Sequence, residues 1–177
     1  MAGFSLHNMI ARAVITTVDS VKKCQSVGLK MLAGDQKQHV EHLEPYGFTS
    51  APKDGAEGVA LFPSGDRSHC VVVVVADRRY RMKGLQRGEV ALYDDLGQSV
   101  VLTRTGIVVN GAGKPIIFKN ASKARFEMPI ESTGDITDNC DSGGITMSQM
   151  RVTYNGHSHN ENGDGGGVTD APDQQMS

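Results

Sequence analysis

Two histidines one residue apart, His157 and His159 in "YNGHSHNENGDGGG", are the most concentrated chemistry in this 177-residue chain. Residues i and i+2 of an extended segment face the same side, so the spacing predicts two imidazoles presented together with Ser158 turned away. Two imidazoles are half of a metal site. The other histidines, His7, His39, His42 and His69, all fall in the first seventy residues, which leaves a single chain short of ligands. Around a threefold axis, three copies would supply six nitrogens. Such a set suits an octahedral ion such as Fe(II), Ni(II) or Co(II) better than tetrahedral zinc. The rival reading is a polar loop that happens to carry two histidines, and the residues by themselves leave both open.

Enzyme patterns built on H-x-H fail here on spacing. A cupin needs a glutamate four or five places after the second histidine, whereas Glu161 follows His159 by two. The metallo-β-lactamase pattern would need Asp and His where Glu161 and Asn162 stand, and amidohydrolases place their pair early in a large barrel. There is no G-x-S-x-G elbow, no Walker A loop and no strand-to-helix G-x-G-x-x-G, so "GDGGG" reads as a tightly turning tip. Cys24, Cys70 and Cys140 are odd in number and far apart, which indicates no disulfide framework and no cysteine zinc site. The first twenty residues carry His7, Asn8 and Arg12 through their apolar part and fit neither a signal-peptide core nor a membrane span. Folding in a reducing cytoplasm is the expectation.

The elements that must position the histidine pair are short. From Arg12 to Asp95, six strand-like runs alternate with turn clusters: "RAVITTV", "SVGLKML", "QHVEHLE", "GVALFP", "CVVVVVA" and "EVALYDD". That density predicts a small barrel. Val71 to Val75 are β-branched throughout, and the run is expected to be buried on both faces, while "TSAPKDGAEG" reads as loop. After Asp95, apolar runs such as Val100–Leu102, Ile107–Val109 and Ile116–Phe118 are separated by Gly, Asn, Asp or Ser, and no stretch there reads as a helix worth packing. The 21 glycines, 5 % aromatic content and absence of Trp agree with many turns.

Sixty residues of tiny strands cannot close a core alone, because each strand has one apolar face and nothing to cover it. Winding around a threefold axis with sister chains would use up the strand edges and turn the apolar side chains inward. A second small barrel or sandwich inside one chain is the alternative. Charge also divides the chain: residues 1–125 hold 17 Lys+Arg against 11 Asp+Glu, and residues 126–177 hold one base, Arg151, against nine acids. The basic run "DRRYRMKGLQRG" has Tyr80 as its only aromatic and reads as a solvated loop more readily than as a nucleic-acid surface.

The ending "NGHSHNENGDGGGVTDAP", together with "TRTGIVVNG" and "STGDIT", resembles the baseplate assembly protein V family of contractile-tailed phages, which includes the central tail spikes of phage Mu and Mu-like prophages. The likeness covers the whole chain. It implies an all-β homotrimer with an OB-fold-like barrel over residues 1–95, an intertwined triple-stranded β-helix over 96–155 and an apex over 156–177. It further implies one iron ion held on the axis by His157 and His159 of three chains, with calcium and chloride nearby in some members. Asp164, Asp170 and Asp173 are calcium candidates by charge and position alone. The expected role is structural and not enzymatic: a spike in the virion's tail baseplate, assembled in the host cytoplasm. Its partners would be the baseplate hub and tail tube proteins, and it would perforate the host outer membrane on contraction without binding nucleic acid. The competing classes are a small metal-dependent β-barrel enzyme, disfavoured by the failed motifs, and an OB-fold nucleic-acid binder, which would need spaced aromatics.

Overall fold

Alternation of apolar and polar residues builds the first part of the molecule. β1 (Ile10–Asp19) buries Ala13 and Ile15, and β2 (Gln25–Met31) buries Val27, Leu29 and Met31. β3 (Gln36–His42) buries Val40 and His42, β4 (Glu57–Leu61) buries Ala60, and β5 (Val71–Ala76) buries Val72. In this computed structural model, which describes residues 9–163 and 165–177, these strands close a barrel in the order β1-β2-β3-β5-β4. Every pair is antiparallel except β3 and β5, which run parallel through Glu41–Val71 and His42–Val72.

Closing a sheet of five strands requires sharp bending, and bulges supply it. β1 skips a residue between Ile15 and Thr17 opposite Gly28, where a Cβ would stand 2.4 Å from Thr17 Oγ1; only glycine fits that approach without moving the threonine. β3 bulges between Val40 and Lys37, and His39 there takes a left-handed backbone (φ 58°).

The valine run departs from its expected burial. Val71 and Val72 are buried, but Val73 and Val74 are 39 % and 50 % exposed, and Val75 packs against the core again. The β4–β5 register jumps from Val59–Val74 to Ala60–Val72, so Val73 sits in a bulge that shifts the alternation. The strand is part of a barrel wall with one covered face. Phe62, just beyond β4, is 1 % exposed and is the largest fully buried side chain. We expect Phe62→Ala to destabilise the barrel by about 3–5 kcal/mol in chemical denaturation.

"EVALYDD" does not join the barrel as expected. β6 (Val90–Tyr93) pairs with β7 (Ser99–Leu102), and β7 with β8 (Ile107–Asn110), in a separate three-stranded antiparallel sheet. The reason is topological: both edges of every barrel strand are already paired, so a sixth strand has no edge to join. Lys53 pairs with Asp95 in the β6–β7 turn and joins a barrel loop to this sheet, while Arg79 grips Asp77 and donates to the Asp54 carbonyl at 2.9 Å, which joins two barrel loops to each other.

Directly opposed residues share a face. Val90–Leu102, Leu92–Val100, Val100–Val109 and Leu102–Ile107 are opposed, so one face carries six aliphatic side chains in a continuous patch. All six are exposed, Ile107 at 71 %. No described residue after Val72 is buried.

The chain divides into one unit ending at Ile117 and another running from Phe118 to Ser177. In the second unit the expectation of no helix fails, because Met147–Gly156 forms α1. A reciprocal cap starts it: Thr146 Oγ1 accepts from the Gln149 amide at 3.1 Å, and Gln149 Oε1 accepts from the Thr146 amide at 2.9 Å. Thr137 and Thr146 bridge ahead of the helix, and the turn between them needs Gly144, where a Cβ would collide with the Asp138 carbonyl.

Asp135 supports the same helix entrance. Its carboxyl is held below the ordinary range, first by a hydrogen bond with the Thr146 side chain, then by the Ser148 and Ile136 amides and the charge of Arg151. A depressed folded value means stability that is present above the ordinary carboxylate range and lost as pH falls through the lowered value. The helical circular-dichroism signal is therefore expected to fall on acidification below about pH 4. Asp135→Asn should remove most of that pH dependence. A wild-type signal flat down to pH 2 would contradict the assignment.

Candidate metal centre

His157 is the residue that closes α1. Its backbone is extended (φ −76°, ψ 150°), and its amide points back to the Tyr154 carbonyl at 3.4 Å. The same carbonyl lies 2.6 Å from His157 Nδ1. A carbonyl oxygen only accepts, so Nδ1 carries a proton, and of the two neutral tautomers the contact selects the one whose lone pair is on Nε2. The Tyr154 ring stands 5.3 Å from the imidazole and supports it from one side.

His159 is held by a different element. Its amide donates to Thr169 Oγ1 at 2.9 Å, and its carbonyl accepts from the Thr169 amide at 2.8 Å. Asn160 bridges Val168, and the Glu161 amide donates to the Gly167 carbonyl at 2.9 Å, which makes a narrow hairpin ending in the glycine-rich turn. The predicted single strand under both histidines is thus replaced by a helix end and a hairpin arm.

The two rings still meet. Their centroids are 5.0 Å apart and nearly perpendicular, at 87°. That is close to the spacing of two imidazoles on neighbouring corners of one ion whose bonds to nitrogen are about 2.1 Å long. His157 is half-buried and His159 exposed. Among the described residues, no three or more His, Cys, Asp or Glu side chains stand together as a ligand set. One chain brings two imidazoles together.

Asp170 and Asp173 are exposed beyond the hairpin and join no such set, and Asp164 lies outside the described residues, as does His7. His42 is a buried structural residue: its Nδ1 is 2.9 Å from Gln25 Oε1, and Gln25 Nε2 donates to the Ser50 carbonyl at 2.6 Å. Burial pushes the Cys70 thiol up, which disfavours its thiolate. Sequence reasoning missed Tyr154 and Thr169, which orient the pair. The signal for the first was present in "TMSQMRVTYNGH", where T-x-x-Q opens a helix that must stop at Gly156.

Comparison with known proteins places the chain in a family. Residues 12–79, which cover most of the barrel, match the family described as Bacteriophage Mu Gp45, N-terminal. The chain is 29 % identical over 171 residues to the baseplate puncturing device gp45 of Escherichia phage Mu, covering 91 % of this chain and 87 % of that protein. It is 30 % identical over 172 residues to the Mu-like prophage FluMu protein gp45 of Haemophilus influenzae, covering 97 % of this chain and 82 % of that protein. A likeness that covers 97 % of the chain at 30 % identity, together with the family match over the barrel, leaves one conclusion: the chain belongs to the gp45 family of phage Mu and Mu-like prophages.

Proposed function

We propose that this protein is a trimeric spike that punctures the host outer membrane when the phage tail contracts. Its family makes it a structural component of the virion's tail baseplate, assembled in the host cytoplasm. The observation that carries the finer reading is the absence of any buried described residue after Val72, in a stretch rich in Val, Ile, Phe and Met. Burying one such side chain stabilises a structure by about 1.5–3 kcal/mol. A lone chain forgoes that for the six-residue face of β6–β8 and again at Phe118, which is 88 % exposed. Sister copies wound about a threefold axis would cover these faces and pair the remaining extended segments into a β-helix, with the baseplate hub and tail tube gripping the barrels.

The histidine pair fits the same symmetry. His157 and His159 of three chains would hold one iron ion, and the ion would supply a cross-link between the chains where little apolar area is left to bury. Asp170 and Asp173 become calcium candidates in that assembly only, with chloride as a further axial ion. No helix among the described residues is long and apolar enough to cross a membrane. The acidic far end would not be drawn to anionic headgroups, so force from the tail would have to drive it. Mass measurement with elemental analysis tests the reading: three chains and one iron are expected. A monomer without metal would overturn it.

A further inference from the structure

The segment after the hairpin folds back onto α1. Asn155 Nδ2 donates to the Met176 carbonyl at 3.0 Å, and the Met176 amide donates to Asn155 Oδ1 at 2.9 Å. A side-chain amide here pairs with both backbone groups of one residue, as a neighbouring strand would. The Met176 side chain joins Ile145, Met147, Met150 and Tyr154 around one apolar groove. The returning segment therefore reaches Tyr154 and Asn155, the residues just ahead of Gly156 and His157.

We propose that Asn155 and Met176 form a clasp that positions His157. The inference rests on the reading of His157 and His159 as metal ligands. The last turn of a helix leaves carbonyls without helical partners and frays readily. The Tyr154 carbonyl is in that turn, and it holds His157 Nδ1 at 2.6 Å. If the turn frays, that carbonyl turns to water and the imidazole loses both its tautomer and its direction. No buried side chain anchors α1. The bidentate amide clasp, with Met176 laid into the groove, is the contact that keeps the turn closed. Asn155 and Met176 are thus positioning residues that act through Tyr154.

The test uses the full chain and the variant Asn155→Ala. The isosteric Asn155→Asp, which sets an acceptor against the Met176 carbonyl, takes its place if the alanine variant does not assemble. Histidine ¹⁵N–¹H spectra of the metal-free protein report the tautomer of His157, with buried His42 as internal reference. Wild type should show the Nδ1–H form and the variant a mixture. Co(II) titration against a chelator should give an affinity roughly tenfold or more weaker in the variant, with an altered visible spectrum and unchanged oligomeric mass. An unchanged His157 tautomer in the variant would overturn the clasp, as would an unchanged Co(II) affinity and spectrum. If wild type itself binds neither Co(II) nor iron, the ligand reading falls. The tautomer result then decides the clasp separately: loss of the Nδ1–H form supports it, and retention overturns it.

Discussion

Replacing His157 and His159 together with alanine is expected to abolish metal binding while leaving the upstream trimer intact. The two imidazoles stand 5.0 Å apart near the end of the described chain, and every copy would lose both. A metal bound only by the assembled form stabilises that form through linkage, by an amount that grows with affinity and free metal. The region that depends on it is the hairpin between His159 and Thr169, which otherwise rests on a few exposed hydrogen bonds and glycine-rich chain. Limited proteolysis should therefore cut the double variant near this hairpin much faster than wild type, whereas the β6–β8 region should stay protected. Full metal content in the double variant would refute the ligand assignment. Equal cleavage of both proteins would show the ion to be mechanically idle.

A fragment beginning at Glu89 should assemble as a trimer without the barrel, and charges on its apolar face should prevent that. The cut belongs before β6 because Val90, Leu92 and Tyr93 pair with β7; a fragment starting at Asp95 would strip one strand from the sheet. Ile107 and Val109 lie on the continuous face with Val90, Leu92, Val100 and Leu102. Burying an unpaired lysine in such an interface costs several kcal/mol. The symmetry repeats that cost in every chain. Ile107→Lys with Val109→Lys should convert the fragment from a trimer resistant to SDS into monomer or aggregate. Val101 and Val108 project from the other face and provide a comparison set. Sedimentation of the unmodified fragment as a monomer would sink the threefold reading of this segment, and a trimer surviving both lysines would show that a different face makes the contact.

Some of this protein was legible from residue order alone, because the signal was local. Side chains two apart on a strand share a face, so "RAVITTV", "SVGLKML", "GVALFP" and "EVALYDD" declared themselves as strands, and H-x-H declared two imidazoles close together. The ending of the chain pointed to the family that the comparisons then showed. A helix was legible and overlooked: Thr146 and Gln149 form a cap that depends on three-residue spacing, masked by the short apolar runs around it.

Other features were decided only by long-range pairing. Whether β6 enters the barrel depends on which edges are free, and none is once β3 meets β5 at two residues. Val73 faces outward because of a register jump set by its neighbour β4, which no pattern within five valines can encode. His157 and His159 meet across a helix end and a hairpin arm, through the Tyr154 carbonyl and Thr169, and not along one strand. Asn155 finds Met176 twenty-one residues away. Spacing along the chain determined which groups would be near each other in sequence. Their direction came from hydrogen bonds that only the folded chain makes: between the His157 ring and the Tyr154 carbonyl, between His159 and Thr169, and between Asn155 and Met176.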